Sequence, residues 1–151
     1  MEKSELQKLN ESAVEVFGAM YYTPIELLPE VPPQDQWNLE ENYAQTSIEY
    51  TGPHVAKVAF FFPRTLAINI AGGFLGVDES ALVEEQLVDT MREATNMIIG
   101  SFLGRIDPGG ECKLGIPVAE IVSGFSPENC SEGKLVTFIS DFGYLWMTFV
   151  G

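Results

Sequence analysis

The stretch Asp89-Thr-Met-Arg-Glu93-Ala-Thr-Asn96-Met-Ile-Ile-Gly100 lies within residues 78–103, a run with no proline and one internal glycine. At about 100° per residue, the large apolar residues of this run fall on one helical face. That face is predicted to be core, and it comprises Leu87, Met91, Ala94 and Ile98. The run therefore predicts one long helix, with Asp78 or Ser80 as its N-cap.

The opposite face of this predicted helix is polar. Asp89, Glu93 and Asn96 fall within an arc of roughly 60°, and Gly100 lies under the same arc. A carboxamide donates and accepts hydrogen bonds together, so it can hold a water molecule in a fixed orientation. A carboxylate can pair with a cation of a partner, and a glycine lets another backbone come close. Such residues are also typical of a plain solvated helix face, so the arc alone leaves both interpretations open.

The composition indicates an ordinary globular protein with a strong negative charge. The chain has 151 residues, 46% of them apolar, and a net charge of -14. This length predicts a single domain over residues 1–151. The acidity argues against binding to nucleic acid or to an anionic membrane surface.

Features of targeting and of redox chemistry are absent from the sequence. No window is apolar for long enough to span a bilayer, and the first residues lack the pattern of a signal peptide. We therefore expect a cytoplasmic protein without membrane insertion. Cys112 and Cys130 do not have the spacing of metal ligands, and reduced thiols are expected in that compartment.

The remaining elements follow from periodicity and from breaker residues. Residues 4–20 predict an amphipathic helix, and residues 22–37 contain four prolines and predict an extended connection. Residues 64–71 predict a short helix that is closed by Gly72, Gly73 and Gly76. Strands are predicted at residues 43–50, 55–62, 113–122 (bent or divided at Pro117), 134–140 and 144–150, with a loop at 125–133.

The order of these elements predicts an α+β fold. We expect one mostly antiparallel sheet with the two longer helices packed on one face. The last strand has bulky side chains on both faces. One face is therefore expected to cover the helices and the other to meet something else, with a second subunit as one candidate.

Two other motifs are better explained by structure than by chemistry. His54 is the only histidine and stands in a turn beside a proline, where a solvated loop residue is more common than a ligand or a base. The glycines at positions 72, 73 and 76 follow a predicted helix rather than a strand, and no Lys-Ser or Lys-Thr comes after them. They are interpreted as a helix stop, not as a phosphate-binding loop.

The pattern Asp89-x-x-x-Glu93-x-x-Asn96, followed by Met97 and Gly100, resembles the signature of the CheC/CheX/FliY chemotaxis phosphatases. Further segments resemble this family in the same order: residues 11–20, residues 60–67 with two glycines after them, and the proline-containing residues 116–124. Ala94 and Thr95 depart from the family's usual residues. The first helix has no Glu with an Asn three residues later, so the resemblance is closer to the CheX branch than to the CheC branch.

This resemblance implies a function and a role for each residue of the arc. The implied substrate is a phosphorylated CheY-type receiver domain, which holds Mg²⁺ itself, so the chain would need no cofactor or metal of its own. Asn96 would orient the attacking water, and Glu93 would pair with the receiver's active-site lysine. Asp89 would be a contact at the rim, and Gly100 would allow close approach. The family also implies a homodimer.

Two alternatives belong to other classes of function. The first is a non-catalytic module on the same fold that binds a receiver or another signalling protein; the presence of both Glu93 and Asn96 argues against it. The second is a small-molecule-binding or purely structural α+β protein. A deep pocket away from Asn96 would favour the second alternative.

Overall fold

The computed structural model describes residues 4–37, 40–124 and 133–151. The predicted loop at 125–133 lies almost wholly outside the described residues. The elements are α1 Glu5–Met20, β1 Glu26–Leu27, β2 Asn42–Thr51, β3 Ala56–Pro63, α2 Arg64–Leu75, α3 Glu84–Ile106, β4 Lys113–Leu114, β5 Val118–Ser123, β6 Lys134–Ser140 and β7 Gly143–Val150, with 3-10 turns at Gln34–Gln36 and Glu79–Ala81.

The strands of the described chain form one antiparallel sheet. Its order is β1-β6-β7-β3-β2, and the outer edge of β2 pairs with both β4 and β5. The break between β4 and β5 contains Pro117, which lacks the N–H that a continuous strand would need. The predicted hairpin of β2 and β3 is confirmed, with Ile48 opposite Val58 and Thr46 opposite Phe60.

The main core lies between one face of this sheet and the three helices. Alternate residues of β2 and β3 point towards the helices and are almost completely buried, among them Ile48, Tyr50, Val58, Phe60 and Phe62. They pack in one cluster with residues from each helix, such as Phe17, Leu66 and Ile98. The α+β prediction, with the helices on one face of an antiparallel sheet, is confirmed.

A second, smaller core covers part of the other face of the sheet. Tyr43, Phe61 and Trp146 are buried there, and the ring of Trp37 packs edge-on against Trp146 at 5.9 Å. Trp146 is 1% exposed within the single chain. On this face of the sheet, Trp37 of the same chain covers Trp146.

The long helix begins later than predicted. The carboxylate of Asp78 accepts hydrogen bonds from the N–H and the hydroxyl of Ser80, at 3.0 and 2.8 Å, and so caps the turn Glu79–Ala81 instead of α3. Such local side-chain hydrogen bonds compete with helix formation. Helix α3 starts at Glu84, where the side chain of Gln86 accepts a hydrogen bond of 2.9 Å from the N–H of Val83.

The short helix ends later than predicted. Gly72 and Gly73 lie inside α2, and the helix ends at Gly76, which has a φ of +66°. A Cβ at Gly72 would lie 3.1 Å from Cγ of Glu79, so the glycine permits the close approach of the turn that follows.

His54 has a structural contact that its sequence context did not predict. Its Nδ1 lies against a carboxylate oxygen of Glu5, and both side chains are partly exposed. This contact ties the turn between β2 and β3 to the first turn of α1. His54 is therefore not a free loop residue.

Candidate functional site

Helix α3 places the predicted polar arc in solvent. Its inner residues are buried as predicted, with Met91, Ala94 and Ile98 all 0% exposed. Asp89, Glu93 and Gly100 are exposed on the outer side, and Asn96 is partly exposed. Apart from the backbone of its own helix and its chain neighbours, no described atom lies within 4 Å of the position that a Cβ of Gly100 would take, so the surface there is open.

A buried hydrogen bond beneath the arc sets the rotation of α3. The hydroxyls of Thr95 and of Thr46 on β2 lie 2.6 Å apart, and both residues are 0% exposed. Because Asn96 and Glu93 lie about 100° and 160° from Thr95 around the helix, this inward anchor turns both side chains away from the core. The sequence contained no signal for this pair, because its members are distant in the chain.

The polar residues of the arc differ in their availability to a partner. Asp89 already accepts a hydrogen bond of 2.6 Å from Arg92, one turn along α3. Within residues 4–37, 40–124 and 133–151, the side chains of Glu93 and Asn96 form no hydrogen bond or ion pair. A free carboxylate and a free carboxamide therefore stand together at the centre of the arc.

Tyr21, from the end of α1, borders this arc and was not predicted from the sequence. Its hydroxyl donates to Sδ of Met97 at 3.6 Å. Burial, and next the negative charge of Glu93, raise the pKa of Tyr21 to about 12. The hydroxyl thus stays neutral at neutral pH and adds no charge beside Glu93. The ring packs against Phe17 and Phe74 at 5.8 and 5.7 Å.

The other surface features of the described chain do not combine with the residues of the arc. A groove of about 430 Å³ runs along the surface of α1 and is open to solvent; its lining is Gln7, Asn10, Glu11, Val14, Glu15 and Leu27. None of these residues belongs to the arc. Among the residues that the structure describes, no group of three or more His, Cys, Asp or Glu side chains is placed to hold a metal ion. No described helix is both long and apolar enough to cross a membrane.

The chain thus combines an antiparallel sheet that has helices on one face with an exposed Glu–Asn pair on the longest described helix. Residues 45–139 match the family model described as chemotaxis phosphatase CheX. The chain belongs to this family. No curated protein matches it.

Solved structures with low sequence identity share the fold along nearly the whole chain. CheX from Vibrio vulnificus is 18% identical, with 97% of each chain covered and a TM-score of 0.77. A CheC-like superfamily protein from Shewanella sp. PV-4 is 20% identical, with 100% of each chain covered and a TM-score of 0.68. A chain of the CheX–CheY–BeF3–Mg²⁺ complex from Borrelia burgdorferi is 14% identical, with 99% of this chain and 98% of that chain covered and a TM-score of 0.67.

Proposed function

We propose that the chain hydrolyses the aspartyl-phosphate of a phosphorylated CheY-type receiver domain in chemotaxis or in another two-component pathway. The observation that supports this most directly is the pair of unengaged side chains, Glu93 and Asn96, on the exposed face of α3 in a member of the chemotaxis phosphatase family. A solved structure named as a complex of CheX with CheY, BeF3 and Mg²⁺ has the same fold and makes a receiver a reasonable partner.

The proposed reaction needs positioning more than covalent chemistry. Oxygen of a water molecule attacks phosphorus, the bond from phosphorus to the aspartate oxygen breaks, and inorganic phosphate and a free carboxylate result. Phosphoryl transfer of this kind depends mainly on alignment and charge stabilisation. In our proposal Asn96 enters the receiver's site, and its carboxamide orients that water through its donor and acceptor groups.

The other residues of the arc are assigned to docking. Glu93 pairs with the receiver's active-site lysine and fixes the position of Asn96 relative to the phosphoryl group. Asp89 contacts the receiver at the rim, and Gly100 leaves room for its backbone. The Mg²⁺ of the reaction belongs to the receiver, and the chain supplies no cofactor of its own. We place the reaction in the cytoplasm and expect the phosphatase to be a homodimer.

The alternatives have less support. A non-catalytic receiver-binding module on the same fold would not require a free carboxamide beside the docking carboxylate. A small-molecule-binding protein would be favoured by a deep pocket away from Asn96. The groove along α1 is away from Asn96, but it is an open surface feature and its walls include the exposed side chains of Val14 and Leu27.

The variant Asn96→Ala tests this proposal. Phosphate loss from a phosphorylated CheY-type receiver of the same organism is followed in the presence of Mg²⁺. We expect the wild-type chain to accelerate it and Asn96→Ala to lower kcat by about 100-fold, as when one preorganised polar group is removed from a transition state. Binding to the receiver loaded with beryllium fluoride should change less than about twofold, because Glu93 remains.

The matched control is Glu85→Gln, an exposed position two turns before Glu93 on the same helix. It should retain wild-type activity. If Asn96→Ala dephosphorylates the receiver as fast as the wild type, Asn96 does not orient the water. If the wild type binds a receiver but accelerates phosphate loss from none, the non-catalytic module is the correct function.

A further inference from the structure

Tyr22 follows α1 in a backbone conformation that tyrosine rarely adopts. Its φ is +52°, and it is the only non-glycine residue with a positive φ in the described part of the chain. Glycine or asparagine usually occupies this position after a helix, because a larger side chain crowds the backbone there. The Tyr22 side chain is 87% exposed, so packing within the chain does not require a tyrosine here. An exposed aromatic residue at a position that favours glycine is a candidate for contact with a partner.

The turn around Tyr22 is held rigidly by its neighbour Thr23, which is buried. The N–H of Thr23 donates to the carbonyl of Phe17 at 2.9 Å, and its hydroxyl donates to the carbonyl of Tyr21 at 3.0 Å. Nδ2 of Asn69 on α2 lies 3.5 Å from the same hydroxyl. The position of the Tyr22 backbone is thus set before any partner binds, which lowers the entropic cost of binding.

A small cavity opens between Tyr22 and α2. Its volume is about 280 Å³, and Tyr21, Ile70 and Gly73 contribute to its walls. Three exposed apolar residues surround it, and we call them the aromatic rim: Met20, Tyr22 and Phe74, which are 45%, 87% and 56% exposed. Small-molecule sites usually have volumes of about 300–1,000 Å³. This cavity is below that range, and its size suits a single inserted side chain.

The aromatic rim is continuous with the polar arc of α3. Tyr21 connects the two surfaces, because its ring lines the cavity and its hydroxyl contacts Met97 beside the arc. Met97 lies about 40° from Glu93 around the helix. A transient signalling interface covers about 600 Å² of each partner, which is much more than the arc itself offers. A partner seated on Glu93 and Asn96 must therefore extend over neighbouring elements, and the rim is the apolar surface on the Glu93 side.

We propose that the aromatic rim is a second docking surface for the same receiver and that it receives an apolar side chain from the receiver's surface beside the phosphorylation site. This inference rests on the proposed function, since it takes the receiver as the partner. The two surfaces have different roles in this proposal. Glu93 and Asn96 act on the phosphorylation site, whereas the rim adds affinity and selects among receivers by the side chain that they present.

The variant Tyr22→Gly tests the rim without disturbing the turn, because glycine adopts a φ of this sign without strain. KM and kcat are measured with the phosphorylated receiver, and Kd with the receiver loaded with beryllium fluoride and Mg²⁺. We expect KM and Kd to rise about tenfold and kcat to stay within about twofold, as for an aromatic interface residue. Tyr22→Phe keeps the ring and should behave as the wild type.

The matched control is Val55→Ser, which removes an exposed apolar side chain from the turn between β2 and β3. This turn lies near the start of α1, because His54 contacts Glu5, and so at the opposite end of α1 from Tyr22. It should leave KM and Kd unchanged. If the wild type is active and Tyr22→Gly has the same KM and Kd, the rim is not a docking surface, while the proposed function stands. If the wild type binds a receiver without hydrolysis and Tyr22→Gly weakens that binding, the rim stands and the phosphatase activity does not. If the wild type binds no receiver, both are overturned.

Discussion

The side chain of Thr95 decides how Asn96 is presented to a partner. Its hydroxyl bonds to that of Thr46 in a region without solvent access, and this bond joins the centre of α3 to strand β2. A buried hydroxyl that loses its partner costs about 1–3 kcal/mol of stability, whereas replacing both hydroxyls by apolar groups of similar shape is nearly neutral. The pair therefore contributes more to the specific position of α3 than to net stability.

We expect Thr95→Val to lower the free energy of unfolding by about 1–3 kcal/mol, because the Thr46 hydroxyl is then left without a partner. Thr46→Val should have a similar effect. The double variant should recover most of the loss, and urea unfolding of all four proteins measures the coupling. Strictly additive losses would mean that the two hydroxyls do not stabilise one another.

Helical periodicity was sufficient to identify the residues of the arc, but not their surroundings. The spacing of Asp89, Glu93 and Gly100 predicts their exposure, because one face of α3 must be core. The contacts of Tyr21 and Thr95 were not predictable in this way. Each joins residues that are far apart in the chain, and a single sequence contains no measure of such proximity.

The strands were predicted more accurately than the ends of the helices. Strand β6 coincides with its prediction, since a glycine directly before it and a short turn directly after it mark its two ends. The ends of helices depend on which local hydrogen bonds prevail. Asp78 bonds to Ser80 and delays α3, and α2 continues through Gly72 and Gly73 because helical packing outweighs their low intrinsic preference.

Gly73, inside α2, and Gly76, directly after it, are expected to respond to substitution by alanine in opposite directions. Gly73→Ala should raise the free energy of unfolding by about 0.5–1 kcal/mol, because alanine is the better helix former and no described atom outside the local helix lies within 4 Å of its new Cβ. Gly76→Ala should lower it by about 1–2 kcal/mol, because Gly76 has a left-handed φ of +66°. Thermal and urea unfolding of the wild type and of both variants measure these changes in stability. Stabilisation by Gly76→Ala would show that α2 does not end at this residue.

For the whole molecule, the order of the elements, in which runs of strands are separated by runs of helices, was enough to predict one sheet with helices on one face. It was not enough to predict the second core. Residues 144–150 are bulky on both faces, and this pattern does not distinguish a surface for another subunit from one that the same chain covers. The answer depends on Trp37, which belongs to a proline-rich connection without periodicity.

The burial of several tyrosines is expected to make the folded protein less stable at alkaline pH. Burial, and then the charge of Glu93, raise the pKa of Tyr21 to about 12, and burial is the largest cause that raises the pKa values of Tyr43 and Tyr50. In the unfolded chain the pKa of a tyrosine is about 10. Between about pH 10 and 12 the folded state therefore binds more protons than the unfolded state, so the free energy of unfolding falls as pH rises. Below pH 10 this contribution is fully present.

We expect urea unfolding to show this loss of stability between about pH 9 and pH 11.5. This range covers most of the interval between the unfolded and folded pKa values of Tyr21. In Tyr21→Phe the fall across the range should be smaller by about 1 kcal/mol, a value reduced for solvent screening because Tyr21 is only partly buried. Tyr22→Phe, which removes an exposed hydroxyl next in the chain, is the control for the substitution itself. An equal fall in Tyr21→Phe and the wild type would mean that the Tyr21 hydroxyl meets solvent as freely in the folded protein as in the unfolded chain, and that the wall shared by the cavity and the polar arc is open there.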